Sequence, residues 1–191
     1  IIATKDLPFY VTGIFILLGF LATLAALKYT LGKSAYGYSG WGDVFVLIFF
    51  GWVGVIGSSF LHINRLENLL FLPASAVGFL AMGVLNLNNM RDVDNDAAAN
   101  KNTLVVKLGL QKAKIYQLFL LIGALVLQSI FVLFTKPGLG GFLFLLTLPL
   151  LFINAKKAWQ ATAPKHFEPL LKPLAITTLL FCLLAGIGQN L

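Results

Sequence analysis

The chain has 191 residues, 59% of them hydrophobic and 11% charged, with 17 phenylalanines and a mean hydropathy of +0.89. These proportions exclude an ordinary soluble domain and define an integral membrane protein. The net charge of +7 is then a matter of topology, because in a polytopic chain the placement of Lys and Arg sets orientation; no nucleic-acid partner is read from it.

Several apolar runs of about 20 residues can cross a hydrocarbon core of ~30 Å as helices, and no sustained period-2 alternation points to a barrel. The expected fold class is all-α: a polytopic transmembrane helix bundle, read as a single domain over residues 1–191. The first residue is Ile and no signal peptide is recognisable, so an N-terminal part is expected to be missing. After the polar lead Ile1 to Asp6, a first span is predicted over about Leu7 to Ala26, with Pro8 suited to its first turn. The segment from Lys28 to Asp43 holds four glycines, three tyrosines and a tryptophan, which favours a headgroup-level or cavity-lining loop over a helix.

A second span covers about Val44 to Leu61, and a third, about Leu69 to Leu87, leads into a stretch dense in Asn and Asp. The fourth runs from about Ile115 to Phe134 and is followed by the breaker Thr135-Lys136-Pro137-Gly138. The fifth, about Leu139 to Ile153, has Pro149 as an expected kink and needs residues beyond Ala155 to reach full thickness. A Pro-flanked loop precedes the sixth span, about Leu170 to Gly188. Six spans sort the loops into two sides. The side reached after spans one, three and five carries eleven Lys or Arg residues, the other Lys5, Arg65 and Lys136. That asymmetry places the Tyr-rich loop and the acidic stretch on the cytoplasmic face.

Three of the seven acidic residues fall at Asp92, Asp94 and Asp96. If the third span continues as a helix, Asp92 and Asp96 share a face, with Asn88 one turn below and Asn89 beside it. A solvated helix end is the plain reading, but Asn86, Asn88 and Asn89 would then lie at the membrane edge, where unpaired amides are costly. An EF-hand loop fails because Ala97 stands where glycine is needed and Thr103 where a bidentate Glu is needed. A Mg²⁺ site for a diphosphate fits better: Asp92 and Asp96 offer two carboxylates, and Arg91 and Lys101 would offset phosphate charge.

The pattern Asn-Asn-x-Arg-Asp-x-x-x-Asp-x-x-x-x-Lys-x-Thr-Leu-x-Val-x-x-Gly, from Asn88 to Gly109, resembles the second aspartate-rich motif of the UbiA superfamily of intramembrane prenyltransferases. Its tail, Lys101 to Gly109, is similar to the branch that prenylates 1,4-dihydroxy-2-naphthoate in menaquinone biosynthesis. Tyr29-x-x-x-Lys33 resembles the family's cytoplasmic element over the diphosphate. Tyr36-Gly-Tyr38-Ser-Gly40-Trp-Gly42-Asp43 is similar to the branch's Tyr-x-Gly-x-Gly-Glu segment, with Asp43 in place of Glu.

The resemblance implies an enzyme that transfers a polyprenyl group from polyprenyl diphosphate to the aromatic acceptor, releasing pyrophosphate and CO₂ and giving demethylmenaquinone. It implies Mg²⁺ as cofactor, with Asp92 and Asp96 as metal ligands and catalytic residues together with Lys101. Asn88, Asn89, Arg91, Tyr29, Lys33, Tyr36 and Asp43 would bind diphosphate and acceptor. It also implies a bacterial-type cytoplasmic membrane, with the bilayer holding the isoprenoid tail and the active site facing the cytoplasm. The family has about nine transmembrane helices and a first motif, Asn-Asp-x-x-x-Asp, which this chain does not contain. Three N-terminal helices are expected to be missing, leaving the chain inactive alone. Asn100 stands where relatives with a third carboxylate carry Asp.

The alternatives are a UbiA-type enzyme acting on hydroxybenzoate, a lipid alcohol or a tetrapyrrole, and a cation transporter subunit, for which Gln128 and a few hydroxyls make a thin polar lining. Cys182 reads as a small buried residue, His62 and His166 as loop residues, and Asn154 as a helix-end cap.

Overall fold

The computed structural model describes residues 8–30, 39–135 and 138–191, without the side chains of Tyr29 and Thr30. All regular structure among them is helical: α1 (Phe9–Thr30), α2 (Gly42–Ile63), α3 (Asn68–Arg91), α4 (Val93–Ala98), α5 (Leu104–Leu108), α6 (Leu110–Thr135), α7 (Leu139–Gln160) and α8 (Pro164–Gly188). The four short or interrupted stretches aside, this is what hydrocarbon demands, since only helices satisfy every backbone group within one segment. Six of the helices are long and apolar enough to span a membrane.

The predicted spans are all present and mostly longer than read. Pro8 sits just outside α1, where its carbonyl accepts from Val11 and Thr12. The third span does not stop at Leu87 but continues to Arg91, because its amides find partners. The fifth reaches Gln160, and the switch from a 3₁₀ stretch (Leu139–Thr147) to α-helix falls beside Pro149, in the first turn of the α segment. There the missing N–H is not needed, so Pro149 starts a helix rather than kinking one. This extension puts Asn154 in the helix interior, not at an end. Its amide donates to the Leu170 carbonyl of α8 at 3.0 Å, a link between helices and not a cap.

Helix α3 is the centre of the bundle and packs against α2, α6 and α8. Its residues Ala74, Ala76, Leu80, Leu87 and Met90 are fully buried. Helices α7 and α8 pair beside it, and Phe144 meets Phe181 edge-on at 5.3 Å. Helix α1 lies outermost against α2, with Phe15 and Phe60 6.0 Å apart.

Apolar tails of lipid give helices no hydrophobic reason to associate, so close backbone approach and buried polar links carry the packing. One close approach joins α2 to α3. A Cβ at Gly51 would stand 2.7 Å from the Ala74 carbonyl oxygen and 3.1 Å from the Gly78 Cα. Gly51 lies in a π-helical stretch of α2, Leu47–Ile56, and Trp52 next to it donates its indole N–H to Ser75 Oγ at 3.0 Å. Between α3 and α6, the Asn86 amide donates to Gln117 Oε1 at 2.8 Å and to the Ala113 carbonyl at 3.0 Å. Because the obstruction at Gly51 is backbone, Gly51→Val should cost about 1–3 kcal/mol. A lowered thermal midpoint of the purified protein in detergent checks this, with Gly13→Val on α1, where nothing stands within 4 Å, as the neutral control.

Candidate active site

The polar stretch is held by a helix that ends and restarts. α3 terminates at Arg91, Asp92 takes φ −96° and ψ 5°, and α4 resumes at Val93. The sequence reading supposed one continuous helix. The bend replaces it, yet the Asp96 N–H still bonds the Asp92 carbonyl at 2.8 Å, so the four-residue relation survives locally.

Arg91 explains the bend. Its Nε donates to Asp92 Oδ1 at 2.7 Å and its Nη2 to Oδ2 at 2.6 Å, a fork on the neighbouring carboxylate. Nη2 also reaches Asn88 Oδ1 at 2.8 Å, and Nη1 reaches Glu168 Oε2 on α8 at 2.6 Å. Such bidentate geometry fixes orientation as well as adding attraction. The Arg91 hydrogen bonds hold the Asp92 carboxyl below the usual carboxylate range; partial burial opposes this, and the charges of Arg91 and Lys101 reinforce it.

Asp96 is buried, 7% exposed, and its Oδ1 accepts from Lys101 Nζ at 3.1 Å. The chain returns to make this pair through Asn100, a left-handed residue at φ 53°, whose conformation Asn tolerates well. Thr103 then caps α5, its Oγ1 accepting from the Val106 N–H. Asp94 is exposed, and among the described residues no three of His, Cys, Asp and Glu converge as a metal cage. This removes the three-carboxylate calcium loop.

Within this stretch Asp96 Oδ2 and Asn89 Oδ1 lie buried without a hydrogen-bond partner, as do Asn86 Oδ1 and Asn154 Oδ1 elsewhere in the bundle. Orphaned hard oxygens of this kind suit a cation such as Mg²⁺. Asp96 therefore fits a metal directly. Asp92 fits less freely, since the fork and the Asn88 amide, at 3.4 Å from Oδ2, use most of its lone pairs.

The neighbouring loop reaches the same end of the bundle. Lys107 Nζ donates to the Ser39 carbonyl at 2.7 Å, and Gly40, at φ 82°, lies so close that a Cβ would stand 3.0 Å from the Asn102 carbonyl oxygen. Asp43, 6% exposed, accepts from the Tyr116 hydroxyl of α6 at 3.1 Å. Of the residues expected over the diphosphate, Lys33 and Tyr36 and the side chain of Tyr29 lie outside the described residues. Asn88, Arg91 and Asp92 bond to one another and Asp96 pairs with Lys101, Asn89 is buried near the same end of α3, and Asp43 stands at this end on its own partner.

Sequence reading missed Glu168, Tyr116 and Gln117. Glu168 had one usable signal, being the only acidic residue after Asp96. Nothing in the sequence pairs Tyr116 with Asp43, 73 positions away.

From the polar end a cleft of about 630 Å³ descends between α2, α3 and α8. Asn88 stands in its wall with Val46, Phe50, Ala81, Val84 and Leu171. Asn88 thus touches both the Asp92 carboxylate and an apolar groove.

The model of the family described as UbiA prenyltransferase matches residues 2–179. The chain belongs to that family. With six helices able to span a bilayer, this UbiA chain is an integral membrane protein. It is 46% identical over 173 residues to the Escherichia coli (strain K12) protein named 1,4-dihydroxy-2-naphthoate octaprenyltransferase, covering 88% of this chain and 56% of that one. Proteins of the same name match from Haemophilus influenzae, at 40% identity over 90% of this chain and 56% of that protein, and from Mycobacterium tuberculosis, at 32% over 88% and 56%. The chain therefore spans a little over half the length of these relatives. No solved structure matches it.

Two outcomes follow from the site's geometry. With Asp92 lowered in the folded protein, part of the stability is present above the ordinary carboxylate range and is lost as pH falls through the lowered folded-state value. Thermal midpoints measured against pH should show this acid loss, and Arg91→Gln should flatten it. Tyr116→Phe should leave the buried Asp43 carboxylate short of a donor and destabilise the protein by about 1–3 kcal/mol, read from thermal unfolding.

Proposed function

We propose that this chain forms the second-motif part of an aromatic prenyltransferase, one that moves a polyprenyl group from polyprenyl diphosphate to 1,4-dihydroxy-2-naphthoate with loss of pyrophosphate and CO₂, giving demethylmenaquinone. The observation that carries this reading is Asn88, bonded to Asp92 and standing in the wall of the apolar cleft. A substrate with a doubly charged head and an isoprenoid tail needs that junction of polar and apolar surface. The names of the relatives at 32–46% identity support the naphthoate acceptor.

In this reading Asp96 and Asp92 hold Mg²⁺ with diphosphate oxygens. Held there, Mg²⁺ would supply Lewis-acid stabilisation of the charge on the departing diphosphate. Arg91 and Lys101 add fixed positive charge for the leaving pyrophosphate, and they do so without reorganising because each is already anchored on a carboxylate. Asn88 and Asn89 orient the diphosphate, and Tyr29, Lys33, Tyr36 and Asp43 add contacts to diphosphate and acceptor. The apolar wall keeps water from the allylic cation, so the aromatic ring captures it instead. The family's first aspartate-rich motif, which these 191 residues do not contain, completes the metal site, and without it the chain is inactive. The eleven-to-three distribution of Lys and Arg supports an active site on the cytoplasmic face of a bacterial-type inner membrane.

The test uses the full-length protein. Asp92→Asn and Asp96→Asn should each lower prenyl transfer and pyrophosphate release by at least about 100-fold, with Lys101→Ala intermediate. Unchanged Mg²⁺-dependent rates would sink the metal assignment. Turnover with hydroxybenzoate but not dihydroxynaphthoate would move the enzyme to another branch, and ion flux without pyrophosphate release would favour a transporter.

A further inference from the structure

A second groove, of about 590 Å³, runs between α6 and α7 and shares no residue with α3, α4 or α5. Leu121 and Leu125 line one wall, Leu148, Leu151 and Phe152 the other. On α7 the lining runs from Leu148 to Gln160, about 18 Å at 1.5 Å per residue. That length matches one leaflet, half of a hydrocarbon core of ~30 Å, and is too short for a chain crossing the bilayer.

The mouth of the groove is basic. Lys156 stands in its lining beside Trp159. Lys114 lies one helical turn before the lining residue Leu118 on the same face of α6, and its Nζ reaches across to the carbonyls of Trp159 and Ala161 at 3.1 and 2.6 Å. Neither α6 nor α7 carries any acidic residue, so no carboxylate on these two helices offsets the lysines, and the two carbonyls take two of the three Lys114 N–H donors. Trp159 is 46% exposed, as suits an indole at headgroup level.

We propose that this groove binds an anionic glycerophospholipid of the leaflet on the basic side. One acyl chain lies along the α6–α7 wall and the phosphate sits between Lys156 and Lys114. The lipid then fills a gap between two helices that the protein's own side chains leave open, and its charge is selected by the lysines. This binding does not depend on the prenyltransferase reading, because it uses none of the residues assigned to that site.

Native mass spectrometry of the full-length protein in detergent, titrated separately with phosphatidylglycerol and phosphatidylcholine, tests it. Phosphatidylglycerol should bind more tightly. Lys156→Gln, at an exposed position, should lower phosphatidylglycerol affinity about fivefold, the equivalent of about 1 kcal/mol for one lysine at an anionic surface, and leave phosphatidylcholine unchanged. Ile122→Trp, at a site 59% exposed, should fill the groove and weaken both lipids while the thermal midpoint stays near that of the parent. Equal affinity for the two lipids, or indifference to both substitutions, overturns the proposal. So does displacement of bound phosphatidylglycerol by polyprenyl diphosphate in a Lys156-dependent manner, which would assign the groove to substrate.

Discussion

The polar end of the bundle is arranged around one guanidinium. Arg91 engages Asp92, Asn88 and Glu168 at once, and each contact does something different. The fork on Asp92 turns the chain out of α3 and keeps that carboxyl ionised. The bond to Asn88 fixes an amide that would be costly to leave unpaired at the membrane edge. The bond to Glu168 ties the start of α8 to the end of α3. Arg is suited to this because its donors form a rigid planar set, whereas a lysine would offer one movable point of charge.

The interior of the bundle is held by other means. Lipid removes the hydrophobic advantage of helix pairing, and what remains is shape and buried polarity. Gly51 and Gly78 let α2 and α3 touch at the backbone, while Asn86 with Gln117, Trp52 with Ser75, and Asn154 with the Leu170 carbonyl cross-link neighbouring helices. These polar groups face other helices, and each bonds a neighbouring helix. They therefore read as links in the packing and not as the lining of an ion path.

Much of the architecture was legible in the sequence because the bilayer imposes a length and a composition on every span. The six spans, their order and the break at Thr135 to Gly138 follow from that constraint alone. Boundaries were less legible. The membrane-spanning part of the third helix was ended at Leu87, before the polar Asn88 and Asn89, and the fifth at Ile153, before Lys156 and Lys157. Asn88 bonded to Arg91 and Asp92, and Asn154 bonded to the Leu170 carbonyl, sit in the helices that run past those points. The candidate site was legible as a motif, since Asp92, Asp96, Arg91 and Lys101 lie within eleven residues of one another and must be neighbours whatever the fold. Their division into two separately anchored pairs was not, because it depends on a bend at Asp92 and a left-handed Asn100.

By itself the sequence determined that this is a membrane protein of six apolar helices with an aspartate-rich motif at the end of the third. The tertiary structure alone decided which helices meet. Each span is apolar on all sides, so no periodicity marks an inward face, and the pairs Arg91 with Glu168, Tyr116 with Asp43 and Asn86 with Gln117 join residues 77, 73 and 31 positions apart. A local pattern cannot encode such distances. They arise only when small residues at the crossings set how closely the helices approach and polar side chains must find partners in the space that remains.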